Sequence, residues 1–283
     1  MTLRPEPEAP WWAHAFADEV QRLADDVALD RAALLLAAHR SSYIRTPDDV
    51  EVWMGRLDAI AAACRPATFD GWHRHLFVDL ALGGNGPDYH DPSNSFLPDV
   101  LARRVGIPIS LSVIAMETGR RLGLRCWGIA MPGHFLTGHG PTAPTKHDPV
   151  PEATVIIDAF NGGELLDAEA CRVRFEAQFG GSHPFDVTML AAVDHHAVLV
   201  RMLANLKANY ARARDIEGLA AILRLRSCLP TLSLDEGREL VRLLDATGRL
   251  GEAWATLDHL DGLYPRSSSV LADERTRLAS RLN

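Results

Sequence analysis

The sequence lacks any apolar run that approaches the roughly 18 residues required by a membrane-spanning helix. Its first residues, MTLRPEPEAPWW, also lack the basic segment and the apolar stretch of a signal peptide. A membrane protein is therefore not expected, and the cytoplasm is the expected location. With 283 residues, 47% of them hydrophobic, the chain is long enough for one large or two modest globular domains.

Clustered basic charge is also missing. The chain has 29 Lys and Arg against 37 Asp and Glu, for a net charge of −8. Residues 1–193 hold 16 of the basic and 25 of the acidic side chains. Nucleic-acid binding requires a basic surface that neutralises phosphates, so nucleic acid is not expected as a partner.

Metal and cofactor motifs are absent as well. The four cysteines lie far apart and form no C-x-x-C pair. Neither His73-x-His75 nor His195-His196 has the i, i+4 spacing that places two ligands on one helix face. No G-x-G-x-x-G or phosphate-binding loop is present, so we expect no metal and no cofactor.

The front of the chain has helical periodicity. Apolar residues recur at spacings of three and four in RAALLLAAH, PDDVEVWMGRLDAIAAAC and FDGWHRHLFVDLAL, between residues 29 and 82. Residues 83–94, GGNGPDYHDPSN, predict an irregular loop. A helix should follow over 95–106, with Asn94 or Ser95 as its cap and Gly106 at its end.

A buried helix and several short strands are predicted next. GIPISLSVIAMETGRRLGL (106–124) indicates the helix, and CWGIAM and HFLTGH indicate two strands around a Met131-Pro132-Gly133 turn. TVIIDAF is a third strand, and Asn161-Gly162-Gly163 turns into ELLD. These elements predict an α+β domain with a small antiparallel sheet that ends near residue 190.

Residues 194–282 are predicted to be helical throughout. Pro230 and Pro265 each close a two-helix unit, and Ser233-x-x-Glu236 predicts a capping box. The positions that match a tetratricopeptide repeat are Gly248, Ala253 and Pro265. We therefore divide the chain into an N-terminal extension (1–28), an α+β domain (29–193) and an all-α, tetratricopeptide-like tail (194–283).

Three residues could form a catalytic group. Ser110 lies in the first turn of the buried helix, where unpaired N–H groups favour negative charge. His134 follows a Pro-Gly turn, and Asp158 ends a buried strand. Helix start, strand and strand is the order that nucleophile, base and orienting acceptor take in papain-like and transglutaminase-like proteins.

The resemblance extends beyond that order. The runs HDPSNSFLPDVLARRVGIPISLSVIAMETGRRLGL, MPGHFLTG and VIIDAFNGG closely resemble the bacterial SirB family, a branch of the transglutaminase-like superfamily. The likeness covers roughly residues 30 to 265. It implies a papain-like core in which His134 and Asp158 match the catalytic histidine and aspartate, and a C-terminal tail of tetratricopeptide type.

One departure from the superfamily concerns its nucleophile. Active members place a cysteine at the start of the helix, where an imidazole and the helix dipole ionise the thiol. Here an ungapped count puts Pro108 at that position, and a shift of two residues puts Ser110 there. A serine alcohol ionises far less readily than a thiol, so transglutaminase chemistry itself is not expected.

Each candidate also has a purely structural interpretation. The Ser110 hydroxyl could satisfy a backbone N–H, and His134 could bond to a backbone carbonyl. A buried Asp158 needs a partner, so it should pair with His134 in either case. Cys126 is either a displaced nucleophile or an inert core thiol. The further residues that we expect to contribute to binding are Asn94, Ser112 and Asn161.

Three functions remain open from the sequence. The first is a regulatory or peptide-binding module, a pseudoenzyme whose tail docks a protein partner. The second is a hydrolase or acyltransferase that uses Ser110, His134 and Asp158. The third is a structural protein with a vestigial cleft.

Overall fold

In the computed structural model, described for residues 2, 4, 9–148, 150–180 and 183–282, the chain divides into two compact units. One consists of Ala28–Met202, and the other joins Met1–Val27 to Leu203–Asn283. Residues 1, 3 and 5–8 of the predicted N-terminal extension lie outside the described residues. The prediction of mixed helices and a small antiparallel sheet is confirmed.

The unit Ala28–Met202 begins with the helices that the periodicity predicts. Their bounds are α2 Leu29–Ala37, α3 Pro47–Ala63, α4 Phe69–Arg74, α5 Leu97–Arg103 and α6 Pro108–Arg121. A π-helical turn, His75–Asp79, continues α4. Helix α3 buries a stripe with helical spacing, formed by Val50, Trp53, Leu57 and Ala61. Helix α6 is buried along nearly its whole length and packs against the sheet.

Five strands form the main sheet, in the order β6-β5-β4-β3-β7 with all neighbours antiparallel. Their bounds are β3 Cys126–Ile129, β4 Leu136–His139, β5 Val155–Asp158, β6 Glu164–Leu166 and β7 Ala192–Val193. Helix α7 (Ala168–Phe179) contributes Cys171 and Phe175 to a core with the sheet residues Ile129, Leu136 and Ile156. Helix α8 (His195–Ala213) follows the sheet.

The loop prediction for 83–94 is wrong at its start. Gly83–Gly84 forms the strand β1, which pairs in parallel with β2, Val105–Gly106. The predicted helix over 95–106 is also shorter, because Asn94 and Ser95 lie in a 3-10 turn and Arg104, with φ 63°, ends α5. Gly106 instead permits close packing, since a Cβ atom there would lie 2.8 Å from Ser110 Oγ.

A buried charged cluster joins α2, α3 and α6. Asp30 and Glu117 are 0% and 2% exposed. Arg121 Nη2 lies 2.6 Å from Asp30 Oδ2, and Arg121 Nη1 lies 3.3 Å from Glu117 Oε2. The same guanidinium reaches Asp58 of α3 at 2.6 Å. One arginine thus bridges carboxylates from three helices.

The second unit is helical, as predicted. Its helices are α1 Trp11–Val20, α9 Ile216–Ser227, α10 Leu234–Ala246, α11 Leu250–Leu263 and α12 Ser268–Leu282. Helix α1 falls in the predicted extension and packs against α9. The predicted capping box is confirmed, because Glu236 N donates to Ser233 Oγ at 3.2 Å and Ser233 N donates to Glu236 Oε2 at 3.0 Å.

Candidate functional site

Strand pairing brings His134 and Asp158 together. His134 N donates to Met131 O at 3.0 Å, which closes the predicted turn two residues before β4 begins. Thr137 pairs with Ile157, so the start of β4 lies beside the end of β5. His134 Nε2 then lies 3.0 Å from Asp158 Oδ1. The contact is not aligned as a hydrogen bond, which leaves the Nε2 atom without a hydrogen-bond partner among the described residues.

Asp158 is fully buried and surrounded by donors. Oδ1 accepts from the backbone N–H groups of Phe160 and Asn161, both at 3.1 Å. Oδ2 accepts from Asn161 Nδ2 at 2.8 Å and from Arg174. Although burial opposes ionisation, the contacts of His134 and Asn161 hold the pKa of Asp158 below its usual value. Asp158 is therefore a carboxylate with its acceptor positions filled.

Helix α7 supplies two site residues that the sequence analysis missed. Arg174 bonds through separate guanidinium nitrogens to Asp158 and to Glu164. One turn later, the Gln178 amide lies over Gly133, where a Cβ atom would be 2.3 Å from Gln178 Nε2. Gly133 has φ +75°, so both its backbone and its neighbour favour glycine. The i, i+4 spacing of Arg174 and Gln178 was a signal available in the sequence.

These groups surround a cavity of about 320 Å³. Its lining consists of Met131, His134, Asp158, Asn161, Arg174 and Gln178. Among the residues that the structure describes, the lining contains neither a thiol nor a hydroxyl group. The groups present can exchange hydrogen bonds with a ligand, and the His134–Asp158 pair can hold a proton.

Ser110 lies elsewhere. Its side chain is fully buried, and its hydroxyl is within hydrogen-bonding distance of two backbone carbonyls, Asn94 O at 2.5 Å and Ile107 O at 3.1 Å. The backbone N–H of Ile107 donates to Ser110 Oγ at 3.2 Å. This is the structural role that a helix N-terminal serine can play. Because the hydroxyl is engaged and outside the cavity lining, the geometry argues against the expected Ser110 nucleophile.

Asn94 and Ser112 do not line the cavity either. Asn94 is fully buried, and its Nδ2 atom donates to Asp88 O at 2.7 Å while its Oδ1 atom accepts from Arg103 Nη2 at 2.9 Å. Asn94 therefore organises the loop before α5. The buried Ser112 hydroxyl has no hydrogen-bond partner among the described residues. Of the three expected binding residues, only Asn161 lines the cavity.

Cys126 has the properties of an inert thiol. It begins β3, and its Sγ atom lies 4.0 Å from His139 Nδ1. Burial, helped by the negative charge of Glu117, raises the pKa of the Cys126 thiol to about 12. Nucleophilic cysteines have lowered pKa values, so the structure favours the core interpretation over a displaced nucleophile.

Among the described residues, no group of three or more His, Cys, Asp or Glu side chains is arranged to hold a metal ion. In the same residues, the helices are too short or too polar to cross a bilayer.

Comparison with known proteins gives the wider context. The chain is 34% identical over 236 residues to a UPF0162 protein of Xylella fastidiosa, with 81% of this chain and 75% of that protein covered. A UPF0162 protein of Vibrio cholerae is 28% identical over 141 residues, covering 50% of this chain and 49% of that protein.

F-box only protein 21 of Homo sapiens is 31% identical over 137 residues, covering 48% of this chain and 21% of that protein. No solved structure matches the chain. The model of the Transglutaminase-like superfamily matches residues 28–204, which is more than half of the sequence. Together with the His134–Asp158 pair at the end of the central sheet, this match shows that the chain belongs to the Transglutaminase-like superfamily.

Proposed function

We propose that the protein is a binding module of the SirB-type branch, in which the cavity around His134 holds a segment of a partner polypeptide. In this proposal the superfamily scaffold is retained without its nucleophile, and the protein is a pseudoenzyme. The observation that carries the proposal is a cavity lined by polar side chains, among whose described lining residues there is neither a thiol nor a hydroxyl group.

The polar groups of the cavity suit a polypeptide backbone. Asn161 and Gln178 carry carboxamides, which can donate to a backbone carbonyl and accept from a backbone N–H. His134 turns Nε2 towards Asp158 and so leaves Nδ1 as the ring nitrogen available to a ligand. The charge of Arg174 is already shared by Asp158 and Glu164, so the lining does not demand an anion.

The C-terminal helices support a docking role in this proposal. Gly248 has φ +75° between α10 and α11, and Ala253 is fully buried, as a tetratricopeptide-like hairpin requires. The match to a limited part of F-box only protein 21 also supports a transglutaminase-like unit that serves inside a larger protein. We therefore propose that the tail adds a second contact surface for the partner.

Peptide selection tests the binding role. Random-sequence peptides displayed on phage are selected on the full chain, and the selected peptides are synthesised and titrated by fluorescence anisotropy. Gln178→Ala should weaken binding about three- to tenfold, because it removes about one hydrogen-bonding group. Arg172→Ala is the control on the same helix, since Arg172 lies outside the lining and its side-chain partners among the described residues are Glu169 and Glu176. Unchanged binding to Gln178→Ala, or no selectable peptide, would contradict the proposal.

An activity-based probe tests the absence of a serine nucleophile. An alkyl fluorophosphonate should leave Ser110 unmodified, because its hydroxyl is buried. Intact-mass spectrometry of wild type and Ser110→Ala should give the same result after incubation with the probe. A phosphonate adduct on wild type that is lost in Ser110→Ala would favour the hydrolase instead.

A further inference from the structure

An aromatic surface continues from the cavity. The rings of His134 and Phe160 meet edge to face with centroids 6.2 Å apart. Phe160 in turn meets Tyr89 edge to face at 5.8 Å. Phe160 is partly exposed and Tyr89 is 39% exposed. We call Tyr89 and Phe160 the aromatic ledge, because Phe160 connects the ring of Tyr89 to that of His134.

The ledge is held in place by backbone contacts. Gly84 N donates to Phe160 O at 2.8 Å. A Cβ atom on Gly84 would lie 2.5 Å from the Phe160 ring, so the glycine lets the strand β1 approach the ring closely. The buried Asn94 amide donates to the carbonyls of Asp88 and Tyr89, at 2.7 and 3.3 Å. The loop that carries Tyr89 is therefore fixed by hydrogen bonds, although the Tyr89 side chain is exposed.

The charges around the ledge are mixed. Burial raises the pKa of the Tyr89 hydroxyl, while the nearby positive charge of Arg201 acts in the opposite direction. Asp88 precedes Tyr89 and is exposed. Arg201 and Asp88 are opposite in sign, so together their charges select neither a cationic nor an anionic side chain. The apolar faces of the two rings therefore determine which side chain binds.

We infer that the aromatic ledge binds an aromatic side chain of the same polypeptide segment whose backbone lies in the cavity. This inference rests on the proposed function and specifies which segments are selected. Edge-to-face packing leaves ring area uncovered, and aromatic pairs in such arrangements contribute beyond the area that they bury. Phe160 contacts both His134 and Tyr89, so backbone and side-chain recognition share one continuous surface.

The test uses the phage-selected peptides described above. Selected peptides should carry an aromatic residue, and Tyr89→Ala should weaken their binding about tenfold, whereas Tyr89→Phe should keep it. Replacing that aromatic residue of the peptide by alanine should weaken binding to the wild-type protein. The same replacement should cause little further loss of affinity for Tyr89→Ala. Such non-additivity identifies the two rings as contact partners.

Tyr43 provides a matched control. It is 43% exposed and meets Trp53 edge to face at 5.4 Å, in the same unit as Tyr89. Tyr43→Ala should leave peptide binding unchanged. Thermal melts of all variants separate a loss of binding from a loss of folding.

The outcomes distinguish this inference from the proposed function. Peptides that depend on Gln178 but bind Tyr89→Ala as tightly as wild type would overturn the ledge and keep the binding module. Equal weakening by Tyr43→Ala and Tyr89→Ala would also overturn the ledge. A failure to select any peptide would overturn both the aromatic ledge and the binding module.

Discussion

Two buried carboxylate clusters in the unit Ala28–Met202 make different use of arginine. Asp158 is one carboxylate surrounded by donors, and one side of its cluster faces the cavity. Asp30 and Glu117 are two carboxylates that share Arg121 and lie outside the lining of that cavity. The first cluster holds a stable charge beside a ligand-sized space, whereas the second places like charges close together inside the core.

The two clusters differ in the pKa values of their carboxyl groups. His134 and Asn161 offset the burial of Asp158 and keep its pKa low. Burial, followed by the negative charge of Asp30, raises the pKa of Glu117 to about 7. Donors around one carboxylate thus favour its charge, and a second carboxylate disfavours it. The Asp158 cluster borders the cavity, and the Asp30–Glu117 cluster joins helices.

Of the changes that test this comparison, the removal of Asp158 should alter the free energy of unfolding most. Among the described residues, Asp158→Ala leaves Glu164 as the one carboxylate partner of Arg174. The free energy of unfolding should therefore fall by about 3 kcal/mol, which is at the lower end for a broken buried pair because Arg174 is partly exposed. Urea unfolding near neutral pH measures the loss.

The control for Asp158→Ala is the pH dependence of the stability difference between this variant and wild type. A carboxylate with a lowered pKa stabilises the fold above its unfolded value of 3.8 and loses that contribution as pH falls through the lower folded value. The difference between wild type and Asp158→Ala should therefore shrink in acid. A difference that does not change with pH would show that the charge of Asp158 is unimportant.

Glu117→Gln should change the free energy of unfolding less than Asp158→Ala does, and it should raise it instead of lowering it. In the unfolded chain Glu117 ionises near 4.5, while in the folded protein it stays protonated until about pH 7. The folded state binds more protons in this window, so this group makes wild type less stable as pH rises through it. Glu117→Gln should match wild type below the window and gain about 2 kcal/mol above it, as urea unfolding at both pH values would show.

Glu169→Gln is the matched control for Glu117→Gln. Glu169 is exposed on α7, and its contact with Arg172 lowers its pKa. It is ionised throughout the window in which Glu117 titrates, so Glu169→Gln should show no gain as pH rises through that window. Equal pH profiles for the two variants would contradict the assignment to Glu117.

The smallest expected effect concerns thiol labelling. Burial raises the pKa values of the Cys126 and Cys171 thiols to about 12. Iodoacetamide should therefore modify the folded protein slowly near neutral pH and modify urea-unfolded protein quickly. Peptide mapping by mass spectrometry gives the rate at each cysteine. Fast labelling of Cys126 in the folded state would reopen the possibility of a displaced nucleophile.

Local patterns predicted much of the fold. Helix α3 follows from its apolar spacing, and the capping box of Ser233 and Glu236 follows from a four-residue motif. The need of a buried carboxylate for a partner predicted that Asp158 would pair with His134, and the antiparallel pairing of β4 and β5 places the two side by side. Short-range information is sufficient for features of this kind.

Other features depend on contacts that spacing does not reveal. One of the two carbonyls within hydrogen-bonding distance of the Ser110 hydroxyl belongs to Asn94, sixteen residues earlier in the chain. Helix α7 was missed because Cys171 and Phe175 are its only buried side chains, so its apolar stripe is narrow. Its start was nevertheless marked by Asp167, whose side chain accepts from Ala170 N at 2.8 Å. Because the helix was not predicted, Arg174 and Gln178 were not predicted as site residues.

The two turns at the cavity should differ in mutational tolerance. Gly162 has φ +67° and nothing within 4 Å of an added Cβ atom, so a saturation library should accept asparagine or aspartate there. Gly133 has the same sign of φ, but a Cβ atom would overlap the Gln178 amide. Surviving clones should therefore keep glycine at position 133 even where position 162 has diversified.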